Sequence, residues 1–132
     1  MERLLMDDRF PLKKLVVVIE DDAAIRMLVE EIMTDFFSRC VAFTTADDGL
    51  QYLASVQGAC DLVIADYGVP GVLTGADLLK AVKQRWPEVP SILTSGYSRD
   101  AIEIPPHVFF LQKPWSMDAL SQAVRQVMIE PQ

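Results

Sequence analysis

The sequence predicts a doubly wound α/β domain on a parallel sheet. Five short apolar runs recur along the 132 residues, at 15–19, 41–44, 62–65, 91–94 and 108–111. They are rich in β-branched and aromatic residues and lack in/out alternation, as expected of strands buried on both faces. Stretches of helical period separate them, and parallel strands need such crossovers.

The elements follow in order. After the first strand, Ile25, Leu28, Val29, Ile32, Met33 and Phe36 fall at i, i+3, i+4 and i+7, which places one apolar stripe on a first helix. Leu50, Leu53 and Ala54 suggest a short second helix. Leu78, Leu79, Val82 and Trp86 suggest a third that stops before Pro87, because the residue before a proline is pushed out of the α region. The fourth inter-strand segment, 98–104, is weakly periodic and ends at Pro105 and Pro106, so a short helix is expected there. A last helix opens after Pro114, with Ser116 as N-cap and Met117, Leu120, Val124, Val127 and Met128 on one face.

Bulk properties narrow the function. A length of 132 residues, 51% of them hydrophobic and 23% charged, suits one packed domain. The net charge of -7 and pI near 4.6 argue against a direct grip on nucleic acid, which needs clustered Lys and Arg. The longest apolar run falls far short of the ~20 residues of a membrane helix, and residues 1–14 lack the apolar core of a signal peptide. The expected location is the cytoplasm. Cys40 and Cys60 have neither CxxC spacing nor a His-rich neighbourhood and are read as reduced thiols.

The polar residues fall at one place relative to the strands. Glu20 and Asp21 end the first, Asp66 the third and Ser95 the fourth, while Lys113 follows the fifth. Open α/β sheets bind ligands outside the carboxyl ends of their strands. Three carboxylates gathered there repel by roughly 4 kcal/mol per pair at ~4 Å and an effective dielectric near 20, so the cluster needs a cation or a proton. Few all-oxygen ligands, open to water, suit Mg²⁺ together with a phosphate. Lys113 would then offer a point charge to one phosphate oxygen and the Ser95 hydroxyl a hydrogen bond to another.

At these residues the chain resembles the receiver domains of response regulators, single-domain or within hybrid histidine kinases. The resemblance runs from Leu15 to about Met128. It rests on Val18-Ile19-Glu20-Asp21-Asp22, on Asp61 to Asp66 followed by Val69-Pro70-Gly71, on Thr94-Ser95-Gly96-Tyr97, and on Lys113-Pro114. It implies a flavodoxin-like (βα)5 fold of strand order 2-1-3-4-5, with an N-terminal extension over 1–14 and the receiver domain over 15–132. Asp66 matches the family's phosphoacceptor, Asp21 its direct Mg²⁺ ligand, Glu20 the acid acting through water, and the Gly68 carbonyl its backbone ligand. Ser95 matches the hydroxyl residue that contacts the phosphoryl group, Gly96 the small residue beside it, Lys113 the family's lysine, and Phe110 the aromatic switch. Glu20 and Asp21 are taken as the acidic pair because Arg26 then falls at its usual offset, leaving Asp22 at the helix N-terminus. The loop 70–75 is one residue longer than in many relatives.

Each residue alone has a plainer reading: a capping cluster for residues 20–22, a turn for Asp66 and for Ser95-Gly96, a solvated charge for Lys113, core for Phe110. His107, the one histidine, is placed near the start of the fifth strand, away from the acids. Two other functions compete. A haloacid-dehalogenase-type phosphohydrolase also uses an aspartyl nucleophile and Mg²⁺, but needs an acid two residues on, where Gly68 stands. A receiver-like interaction module without phosphotransfer would not need the set Asp21, Asp66, Ser95 and Lys113. The resemblance implies a regulatory phosphoacceptor rather than a turnover enzyme. Its expected partners are a sensor histidine kinase or histidine phosphotransfer protein and a downstream protein target on another chain or a longer parent, with homodimer formation left open.

Overall fold

The computed structural model describes residues 12–129. Five parallel strands, β1 (Lys13–Ile19), β2 (Phe37–Phe43), β3 (Leu62–Asp66), β4 (Ser91–Ser95) and β5 (Phe109–Gln112), form one sheet of order β2-β1-β3-β4-β5. Helices α1 (Ala23–Met33), α2 (Ala46–Ser55), α3 (Gly75–Arg85) and α4 (Met117–Ile129) cover it. The expected doubly wound, flavodoxin-like sheet is present.

Successive residues of a strand point to opposite faces, and the core divides accordingly. Val16, Val18, Leu62, Ile64 and Ile92 pack beneath α1 and α4, whereas Val17, Ile19, Val63, Ala65 and Leu93 pack beneath α2 and α3. The three central strands are buried throughout at their carboxyl ends. That two-sided burial is why their sequences read as unbroken apolar runs.

Four expectations need correction. The segment 98–104 holds no α-helix, only a single 3-10 turn at Arg99–Ala101 with no buried residue. Ile102 and Ile104, two residues apart, lie against the core from an extended segment, and the two prolines that follow cannot donate backbone hydrogen bonds. Helix α1 ends at Met33, so Phe36 lies beyond it, although its ring is buried as the stripe implied. Strand β2 starts at Phe37 rather than Val41 and ends at Phe43, because Ser38 and Arg39 face solvent on an edge strand and break the apolar run. Strand β1 begins two residues inside the expected 1–14 extension; residues 1–11 of that extension lie outside the described residues. No helix among the described residues is long and apolar enough to cross a membrane.

Candidate functional site

The sheet delivers its polar residues to one edge by register. Ile19 pairs with Ala65, Asp66 with Thr94, and Ser95 with Gln112, so Glu20, Asp66, Ser95 and Lys113 all emerge at the carboxyl ends of adjacent strands. Helix α1 begins immediately behind them. Asp22 is its N-cap, accepting from the Ile25 amide at 3.0 Å, as the pairing of Glu20 with Asp21 required. Arg26, one turn on, donates from Nη1 to the carbonyls of Glu20 at 3.0 Å and Asp21 at 3.3 Å. The acidic pair is therefore held through its backbone, with both carboxylates free to face the site.

Lys113 is the hub. Its Nζ lies 2.9 Å from Glu20 Oε1 and 3.1 Å from Asp66 Oδ1. Glu20 is 4% exposed and Asp66 7%, so these are desolvated contacts rather than surface pairs. The second oxygen of Glu20 accepts from the Asp22 amide at 3.1 Å, so both of its oxygens are occupied. On Asp66, Oδ1 takes Lys113 and, at 3.4 Å, the Thr94 hydroxyl, while Oδ2 takes no hydrogen bond among the described residues. One oxygen of Asp66 is fixed and the other is left available.

Burial pushes the Glu20 carboxyl above its ordinary range, against the pull of the Lys113 and Asp22 hydrogen bonds. Burial alone would lower Lys113, but the Glu20 hydrogen bond and the Asp66 charge outweigh it and hold the ammonium above its ordinary value. The two directions oppose each other within one ion pair. The charged pair prevails, because an ammonium between two carboxylates has only burial against it.

Glu20, Asp21 and Asp66 each offer one oxygen, all within 4.8 Å of one another. Three carboxylates against the one ammonium of Lys113 leave two negative charges uncompensated in this cluster. An all-oxygen donor set with that excess fits a small hard divalent cation.

Among the described residues, no side-chain hydrogen bond joins the other expected residues to this group. The Ser95 hydroxyl oxygen, almost fully buried, accepts from the Tyr97 amide at 2.9 Å, while the Ser95 carbonyl accepts from the Lys113 amide at 2.7 Å. Gly68 is exposed, and a side chain there would meet nothing within 4 Å. Phe110 is half-buried in the core beneath α2 and α3, with the Arg99 guanidinium 5.4 Å from its ring centroid. His107 precedes β5 at the opposite edge. The thiols of Cys40 and Cys60 are pushed by burial up to about 11 and stay protonated at neutral pH. The sequence offers Thr94 only within the motif Thr94-Ser95-Gly96-Tyr97 and without a role of its own, and its pairing with Asp66 reveals the contact.

A parallel sheet of this order with an acidic cluster and a lysine at its carboxyl edge defines a class of doubly wound domains with a single polar site. Residues 16–125 match the family described as the response regulator receiver domain, and the chain belongs to it. It is 30% identical over 119 residues to the hydrogenase transcriptional regulatory protein HoxA of Cupriavidus necator, covering 86% of this chain and 24% of that protein. It is also 27% identical to the sensor kinase CckA of Brucella abortus, over 86% of this chain and 12% of that protein. The chain thus spans a quarter or less of these two curated relatives. Among solved structures, a receiver protein from Sinorhizobium medicae superposes with a TM-score of 0.77 at 21% identity, covering 88% of this chain and 94% of that one. The receiver domain of an HD-domain protein from Pseudomonas fluorescens gives 0.75 at 25% identity with the same coverage.

Proposed function

We propose that this receiver domain of two-component signalling is a phosphorylation switch whose acceptor is Asp66. The observation that carries the reading is the division of labour on that carboxylate: Oδ1 is held by Lys113 at 3.1 Å, and Oδ2 takes no hydrogen bond among the described residues. Oδ2 attacks the phosphorus of a phosphohistidine on a sensor kinase or histidine phosphotransfer protein. The new O–P bond forms as the N–P bond breaks, its electron pair staying on the imidazole nitrogen. Lys113 neutralises a phosphoryl oxygen, and the Ser95 hydroxyl turns from its Tyr97 contact to donate to another.

Asp21, Asp66 and the Gly68 carbonyl would hold Mg²⁺ directly and Glu20 through water, since both Glu20 oxygens already have partners. The ion supplies positive charge for the phosphoryl oxygens. Residues 15–132 act as one regulatory unit, assist their own phosphorylation and dephosphorylation, and work in the cytoplasm on a downstream protein. Phe110 is the side chain that reports the change at Ser95 to the adjoining surface.

Acetyl phosphate with Mg²⁺ should add one hydroxylamine-labile phosphoryl group, seen by intact-mass spectrometry. Asp66→Asn, and wild type in excess EDTA, should stay unmodified. A label on a serine or threonine, or full labelling of Asp66→Asn, would exclude the mechanism.

A further inference from the structure

We infer that Asp47, at the start of α2, is a positioning residue for the loop that carries Gly68 past Asp66. The loop, residues 67–74, leaves β3 and returns to α3, and its base is closed by the Gly75 amide donating to the Tyr67 carbonyl at 3.2 Å. Gly75 must be glycine at that closure, because a Cβ there would stand 2.2 Å from the Asp66 carbonyl oxygen. The far side of the loop needs a second anchor, since Pro70, Gly71 and Val72 are exposed, Val72 at 88%. Asp47 provides it by accepting from the Leu73 amide through Oδ1 at 3.2 Å.

The carboxylate also fills the space beside Gly71. A Cβ on Gly71 would come within 2.6 Å of Asp47 Oδ1, and the residue has φ +106, a region that favours glycine. Loop backbone and carboxylate are thus fitted to each other at two points, Leu73 N and Gly71 Cα. Thr45 caps the same helix by accepting from Asp48, so the Asp47 side chain is not needed as the cap. Its hydrogen-bonding capacity is directed across to the neighbouring loop.

The consequence, which rests on the phosphorylation reading, is that Asp47 pre-orders the Gly68 carbonyl beside Asp66. Without the strap, ordering the loop falls to the incoming cation. Asp47→Ala should therefore weaken Mg²⁺ binding about threefold to tenfold, the range expected when one hydrogen bond of ordinary net strength is lost. Asp47→Asn keeps an acceptor oxygen and should restore most of the affinity. Gly71→Ala, which drives a methyl group into the carboxylate, should reproduce the loss by a separate route.

The test reads the Leu73 amide by hydrogen exchange and Mg²⁺ affinity by the fluorescence of Trp115, which lies two residues after Lys113, in full-length wild type and the three variants. Leu73 protection should fall in Asp47→Ala and Gly71→Ala and persist in Asp47→Asn, with Mg²⁺ affinity following the same order. Wild-type Mg²⁺ affinity in Asp47→Ala would overturn the positioning role alone, and so would equal losses in Asp47→Ala and Asp47→Asn. A wild type that binds no Mg²⁺ while Leu73 stays protected by Asp47 would overturn the phosphorylation reading and, with it, this role.

Discussion

The crossover from β3 to β4 and the crossover from β4 to β5 leave the same edge of the sheet, beside Asp66 and Ser95, yet they are built in opposite ways. The first holds an eleven-residue helix, α3, opened by a capping box in which Thr74 and Asp77 each satisfy the other's backbone amide at 3.0 Å. Its Leu78, Leu79 and Val82 are fully buried, and Lys83 and Arg85 in its last turn complement the helix dipole. The second holds three residues of 3-10 helix without a side-chain cap and without a buried residue. One side of the site rests on a fixed support and the other on a pliable one. On the phosphorylation reading proposed above, a charge change at Asp66 would displace the side with fewer contacts to break, which is the side that leads to Phe110.

The largest effect that sharpens this contrast lies in the cores of the two crossovers. Leu79→Ala should cost about 2–5 kcal/mol, because a fully buried leucine leaves a cavity the helix cannot close. Ile102→Ala, half-buried and attached to an extended segment that can settle, should cost under about 1.5 kcal/mol. Urea denaturation of both variants checks this; similar losses would mean that the second crossover is as firmly packed as the first.

The same contrast explains what the sequence made legible. The α3 helix is legible because its stripe and Pro87 agree, and α1 and α4 because each stripe follows a polar N-terminal residue, Asp22 or Ser116. The 98–104 segment was misread because length and alternation with the neighbouring elements favoured a helix, while the two-residue spacing of Ile102 and Ile104 favoured extended chain. Tertiary packing decided it. Strand β2 was half missed because an edge strand shows water one of its sides, and Ser38 and Arg39 look like loop residues until Cys40 and Val41 pair with β1. The acids and Lys113 were legible from their places at strand ends. The Thr94 contact and the Asp47 strap were not, because each joins residues far apart in sequence through a register or loop path that only the folded chain fixes.

Capping gives a smaller effect. Thr74→Ala removes one half of the capping box and should lower stability by about 1 kcal/mol. Ser98→Ala, at the matching position of the 3-10 turn, makes no cap bond to lose and should stay within about 0.5 kcal/mol of wild type. Thermal melts of the pair distinguish the cases, and a Ser98→Ala variant as damaged as Thr74→Ala would show that this turn depends on its first residue after all.

The smallest effect belongs to Arg99, whose guanidinium reaches across to the Phe110 ring at 5.4 Å. This contact ties the pliable crossover to β5, yet Arg99 is exposed and a cation–π pair in water is worth only about 0.5–1 kcal/mol. An attachment of that size holds the turn in place without fixing it. Arg99→Ala should therefore barely move the melting temperature while raising amide exchange in the Arg99–Ala101 turn, and it should leave the exchange of α3 unchanged. Arg99→Lys should behave in the same direction but less, since the ammonium keeps the charge and loses the flat face that covers the ring. If Arg99→Ala instead destabilised the chain as much as Leu79→Ala, the turn would be a structural clamp on Phe110. Motion beginning at Ser95 would then have to leave the site by way of α1 or α3.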